Sequence, residues 1–332
     1  MRFNSRVLTG VAFAATGVLA GCGGGGGDGG GSTTATLQLD PSGYGDRTAS
    51  VRTLSDLDAA AVMYDDVSAI EGFMSDVELA LGTTGMTAMA VAEDQYCSEA
   101  NGNLKITEEF TATRDYSKYR FDNCVVPNYG EYLLLDGTMS AEASYAASGE
   151  SVTLTESYDI SGKLGVDEMP VGIVGRQSIS VSGTSETDLN ATISTPALEY
   201  LYGDQYVALR DSQINMVIKG DVLTLTMNSQ LIGSAIDGYL SITTPTKITA
   251  NVYETCPSSG HMKIAGDGKI DVRYGATTLQ PGPAMEVILN DSTVEYYETC
   301  DAAGTPFLDA GLTGALSDPA ITTDKTVALP AQ

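Results

Sequence analysis

The sequence predicts a mainly β protein: a large antiparallel twisted sheet, or a partly closed β-barrel, with an N-terminal helical arm. Three observations predict it. From about residue 88 onward apolar and polar residues alternate with a period of two. Turn-forming dipeptides punctuate the alternating runs. One earlier stretch carries a period of three to four instead. A period of two marks a strand with one buried face, and a period near 3.6 marks an amphipathic helix.

The helical stretch runs from 54 to 82. Leu57, Ala61, Tyr64, Val67, Ile70, Met74, Val77 and Leu81 form one stripe, Ser55 is a suitable N-cap, and Gly82 is a natural stop. Gly72 is a point at which it can divide. A stripe of this kind docks on a core more often than it lines a cofactor site.

The β domain occupies 83–300. Alternation is read over Asn103–Phe110, Tyr116–Val125, Tyr132–Tyr145, Ser151–Ser161, Gln177–Val181, Thr187–Ile193, Gln213–Ile218, Val222–Leu231, Tyr239–Tyr253, His261–Tyr274 and Ala284–Tyr297. Arg114-Asp115, Lys219-Gly220-Asp221, Asp237-Gly238 and Asp267-Gly268 are the expected reversals. Ser and Thr fill the polar positions, which predicts one solvated face. Cys97-Ser-Glu-Ala-Asn-Gly-Asn-Leu-Lys-Ile106 echoes Cys256-Pro-Ser-Ser-Gly-His-Met-Lys-Ile264. The echo suggests two related β units, about 88–165 and 240–300. Residues 301–332 read as a loose tail.

The first 21 residues read as a secretory signal. Arg2 and Arg6 precede an uncharged apolar run from Val7 to Leu19, too short to span a bilayer as a helix. Leu19-Ala20-Gly21-Cys22 resembles the lipobox of bacterial lipoproteins. The resemblance implies cleavage before Cys22, a diacylglycerol and an N-acyl chain on that cysteine, and passage through the lipoprotein processing and sorting machinery. Several acyl chains hold a protein firmly where one does so only marginally. In Gram-negative lipoproteins an Asp after the cysteine favours inner-membrane retention; Gly23 stands here, so the resemblance implies the outer membrane. Residues 22–53 open on a run of glycines and read as a flexible tether, with ends roughly 30 Å apart for about 30 residues.

The segment Tyr116-Ser-Lys-Tyr-Arg-Phe-Asp-Asn-Cys124, with Leu135-Asp-Gly-Thr138, is similar to a pattern in uncharacterised β-rich lipoproteins of Gram-negative bacteria. There a Phe-Asp-Asn-Cys strand pairs with an upstream Cys-turn-Gly strand. The resemblance implies a fold and no activity.

Charge narrows the partners. The chain has 17 basic and 43 acidic residues, a net charge of −26, and loss of Arg2 and Arg6 makes it −28. Such a surface repels nucleic acid. Cys97, Cys124, Cys256 and Cys300 are even in number and read as two disulfides. Three connectivities are possible; Cys97–Cys124 with Cys256–Cys300 is favoured because each pair brackets a hairpin-like segment. No metal site is expected, since no Cys-x-x-Cys occurs and His261 has no second histidine. No catalytic residue stands out either. No Gly-x-Ser-x-Gly occurs, and His261 is expected to head a strand with its ring at the surface. Tyr200, Tyr202 and Tyr206 form the most interface-like stretch, because tyrosine joins apolar area to a polar tip.

These features lead to a non-enzymatic, outer-membrane-anchored structural or binding protein. Carriage of an apolar ligand in a curved sheet is the alternative, and a carboxylate-dependent hydrolase stands third.

Overall fold

The computed structural model describes residues 35–53, 97, 102–128, 131–185, 187–252, 256–275 and 285–298. The expected helical arm at 54–82, the tail at 301–332, and residues Cys22 and Cys300 lie outside them.

Alternation has the expected consequence. The strands are β1 (Asn103–Phe110), β2 (Arg114–Asn128), β3 (Glu131–Tyr145), β4 (Ser151–Leu164), β5 (Met169–Ser185), β6 (Asp188–Tyr202) and β7 (Gln205–Lys219). They continue with β8 (Val222–Gly233), β9 (Gly238–Asn251), β10 (Ser259–Ala265), β11 (Lys269–Tyr274), β12 (Met285–Leu289) and β13 (Thr293–Tyr297). All 13 lie in one sheet in sequence order, each antiparallel to the next. The described strands form a single meander.

The sheet is open, which corrects the partly closed barrel. Closure requires the first and last strands to pair. Among the described residues β1 pairs with β2 and β13 with β12, and no ladder joins β1 to β13. The β1 strand also carries Lys105, Glu108 and Glu109, charges of the kind that protect a free edge.

Reversals use residues that tolerate a left-handed backbone. Gly203-Asp204 joins β6 to β7 and Gly220-Asp221 joins β7 to β8, with φ of 64° at Gly203 and 62° at Gly220. Asp237-Gly238 and Asp267-Gly268 lie in or against the expected turns. Arg114-Asp115 does not reverse the chain. Both residues open β2, paired with Ser144 and Ala143, and the turn lies at 111–113.

One face of the sheet is apolar from β1 to β12. Leu104, Tyr119 and Phe121 begin it, and Leu133, Met139 and Ile160 continue it. Ile179, Ile193, Ile214, Leu225, Met227, Ile248, Ile264, Ile270 and Met285 carry it across the rest. Complete burial of each such side chain contributes roughly 1.5–3 kcal/mol. The opposite face is polar over one half of β4–β9, as the Ser and Thr content predicts. There Thr153 bonds Ser180 at 3.0 Å and Thr192 bonds Asn215 at 3.1 Å across neighbouring strands.

The other half of that polar face is covered by residues 35–53, a strap. Leu37, Leu39 and Tyr44 pack on Tyr206, Ala208 and Ile232. The strap then crosses the rim of the sheet: Ala49 N–H donates to Tyr239 O, and Asp267 N–H donates to Ala49 O, both at 2.9 Å. Ala49 and Val51 finish in the main apolar cluster. Backbone approaches this closely only because the rim is bare. A Cβ on Gly266 would lie 2.2 Å from Ala49 O, and one on Gly268 would lie 2.1 Å from Val51 O. The expected tether, 22–53, therefore ends before residue 35. Its second half carries Leu37, Leu39, Tyr44 and Val51, which gain more by packing than a polyglycine segment could.

Candidate functional site

Two arrangements of side chains stand out, one on each face of β4–β9. The first is the clamp that holds the strap. Glu199 of β6 is 1% exposed. Its two carboxylate oxygens accept the backbone N–H groups of Gln38 and Leu39, each at 2.7 Å, and the Tyr206 hydroxyl at 3.0 Å. Arg210 of β7 donates to Gly45 O at 2.9 Å and to Gln230 Oε1 at 2.8 Å. Asp40 accepts the N–H groups of Tyr44 and Gly45 at 2.9 and 2.8 Å, closing the turn Tyr44–Asp46. The Tyr44 ring stacks on Tyr206 at 5.9 Å, and the Arg47 guanidinium lies over Tyr44 while pairing with Asp237. Burial and the Glu199 charge push the Tyr206 hydroxyl far above its ordinary range. The sequence thus supplies a buried carboxylate with three donors, the kind of pairing such a group requires.

The second arrangement lies on the apolar face. At one height in each of β4 to β8 a polar residue takes an inward position, and β9 places one two residues along from Ile242, the residue paired with Ser229. These are Glu156 between Leu154 and Tyr158, Gln177 before Ile179, and Thr195 between Ile193 and Leu198. Ser212 follows between Leu209 and Ile214, Ser229 between Met227 and Leu231, and Thr244 between Ile242 and Ile248. Cross-strand register aligns them: Glu156 opposes Gln177 and Thr195 opposes Ser212. Register shifts in the β5–β6, β7–β8 and β8–β9 ladders fall at the same height. Asp211, with φ of 50°, sits in one of them. Bulges bend a sheet and re-aim side chains. Here they return β6, β7 and β9 to the same apolar face after one polar step.

Four members of the row are buried, Thr195 at 2%, Ser212 at 4%, Ser229 at 2% and Thr244 at 1% exposure, and Glu156 and Gln177 are half-buried. Gln177 Nε2 donates to Glu156 Oε2 at 2.8 Å. Burial raises the Glu156 carboxyl above the ordinary range, against the hydrogen bonds from Gln177 and Tyr158 that favour its charge. Ser229 Oγ and Thr244 Oγ1 have no hydrogen-bond partner. Each such hydroxyl costs about 1–3 kcal/mol relative to a paired one.

A folded-state pKa above the unfolded value means that the folded protein binds the proton more tightly. The Glu156 contribution is therefore most favourable at low pH. It declines as pH rises from the ordinary carboxylate range through the raised value. Glu156→Gln removes this dependence. The variant is expected to gain stability over wild type at pH 7.5 and to gain little or nothing at pH 4, read from urea unfolding midpoints at the two values.

The sequence-derived candidates fall in different places. Tyr206 is fully buried beneath the strap. Tyr200 is buried on the opposite, apolar face beside Ile173 and Leu198, and Tyr202 is partly exposed at the hairpin end. The three do not form one surface, because alternation in β6 and the turn at Gly203 send Tyr200 and Tyr206 to opposite faces. Cys97 and Cys124 form a disulfide with Cα atoms 4.4 Å apart. Cys256 is also disulfide-bonded. His261 lies in β10 with its ring half-buried, and Nε2 is 2.7 Å from Asp271 Oδ1. Beside it Glu286 is fully buried, with Arg273 Nη1 at 3.7 Å.

Among the described residues no group of three or more His, Cys, Asp or Glu is placed to hold a metal ion. Among them, too, no helix is long and apolar enough to cross a membrane. Compared with protein-family models, curated proteins and solved structures, the chain gives no match.

The clamp and the row were both missed in the sequence. Ser229 was within reach, since Leu223, Leu225, Met227, Ser229 and Leu231 alternate without interruption and place a hydroxyl inward. Thr195, Ser212 and Thr244 were not, because the bulges beside them change the phase.

Proposed function

We propose that the protein is a lipid-tethered, non-enzymatic structural or binding protein of the cell envelope, held to the outer membrane through acylated Cys22. In this reading the 54–82 segment forms a helical arm packed on the sheet, and Cys300 is the partner of Cys256. The observation that carries the proposal is the clamp. The chain leaving the glycine-rich run is seized by a buried carboxylate at Gln38 and Leu39. Such a grip fixes the point at which the tether leaves the folded body, which suits a body hung from a membrane by its N-terminus.

Docking also shortens the leash. Between Cys22 and Gln38 lie about 16 residues, whose glycine-rich coil has a typical span of roughly 20–25 Å. The back of β6–β9 is thereby kept near the lipid surface.

Cys22→Ser tests the anchor. Wild type is expected to incorporate labelled palmitate and to enter the detergent phase on cloud-point separation. The variant should take up no label and stay in the aqueous phase. Retention of the variant in the detergent phase would defeat the proposal.

A second reading, carriage of an apolar ligand, is favoured by the buried polar row. A ligand resting on the apolar face would meet the row's hydrogen-bonding groups between two apolar bands.

A further inference from the structure

We infer that the row Glu156, Gln177, Thr195, Ser212, Ser229 and Thr244 receives the head group of a long-chain amphiphile that is uncharged and carries hydroxyl or ester oxygens. The inference rests on the carrier reading and names its ligand class. Three observations support it. The row crosses β4–β9 in the middle of a continuous apolar face, with Ile193, Ile214 and Met227 on one side and Leu198, Leu209 and Leu231 on the other. That layout suits a molecule with a polar centre and a long apolar body. Ser229 Oγ and Thr244 Oγ1 are buried on this face without partners, and buried hydroxyls of this kind in a native protein call for an explanation, which a bound group would supply. A serine or threonine hydroxyl both donates and accepts, so it can meet an alcohol or an ester carbonyl.

The charge of the head group follows from the row's composition. No lysine or arginine lies in it, and Glu156 does, in a chain of net charge −26. An anionic head group would be repelled. The only carboxyl present is already bonded to the Gln177 amide, so an ammonium group would have to displace that bond.

The test uses the purified protein and its Ser229→Ala/Thr244→Val variant. Removing hydroxyls that lack partners relieves an unfavourable burial, so the variant is expected to fold; Ser229→Ala alone is the reserve. Solvent extraction followed by mass spectrometry reads co-purified lipid, and titration with monooleoylglycerol and with oleate reads affinity. The expected result is uptake of monooleoylglycerol in preference to oleate by wild type. The variant should bind it about tenfold more weakly, as loss of two hydrogen bonds implies. Equal binding by variant and wild type would overturn the assignment of the row while leaving the carrier reading in place. Preference for oleate would overturn the uncharged head group. A wild type that neither carries nor takes up lipid would overturn the carrier reading itself.

Discussion

Replacing Glu199 with alanine is expected to detach the strap and lower stability by about 3 kcal/mol or more. The estimate follows from what the carboxylate does. It accepts two backbone N–H groups and a tyrosine hydroxyl at 1% exposure. Hydrogen bonds to charged groups are each worth roughly 1.5–3 kcal/mol, and donors left buried without an acceptor cost further. The thermal midpoint should fall by roughly 6–12 °C for a domain of this size. The decisive readout is local: protease cleavage within 35–53 should become rapid while cleavage within β6–β8 does not. Glu199→Gln keeps one acceptor and should fall between. If Glu199→Ala left both the midpoint and the strap's protease resistance unchanged, the strap would owe its position to Leu37, Leu39 and Tyr44 alone.

Removing the Cys97–Cys124 bridge by Cys97→Ala/Cys124→Ala is the second large effect. The bonded cysteines are 27 residues apart, and closing such a loop in the unfolded chain is worth about 3.5 kcal/mol in the loop-entropy account. The loss should concentrate at β1, which has β2 as its one strand neighbour among the described residues. Hydrogen exchange is the fitting measurement. Amides of 103–110 should lose protection in the double variant, while those of β6 and β7 keep most of theirs. Uniform loss of protection across the sheet would show instead that β1 and β7 unfold as one unit.

How much was legible in the sequence follows from where alternation runs clean. Asn103–Phe110 was read with the boundaries of β1, and Val222–Leu231 lacks only the last two residues of β8. Residues 177–181, 187–193 and 213–218 were read as short runs, yet β5, β6 and β7 are 17, 15 and 15 residues long. In each, strict alternation breaks at a bulge. An extra residue at Pro196 or Asp211 shifts the period by one, so a search for strict alternation ends there although the strand continues. The same bulges hid the polar row. The run His261–Tyr274 spans β10 and β11, and the chain turns between them at the expected Asp267-Gly268. The clamp was beyond reach for a different reason. Gln38 and Glu199 are 161 residues apart, and nothing local to either marks the other.

The order of the strands has a consequence for how the molecule assembles. Every ladder joins neighbours in sequence, so a chain emerging N-terminus first can zip up one hairpin at a time, each closing a short loop. Contacts of that kind form quickly. The strap breaks the rule. Residues 35–53 emerge before any described strand, yet their acceptors lie in β6, in β9 and at the turn that holds Asp267. They must wait, unpaired, until β9–β11 have formed, and closing so long a loop is entropically slower than closing a hairpin. The grip that joins the folded body to its leash is therefore among the last contacts to be made, and its completion reports that the centre of the sheet is in place.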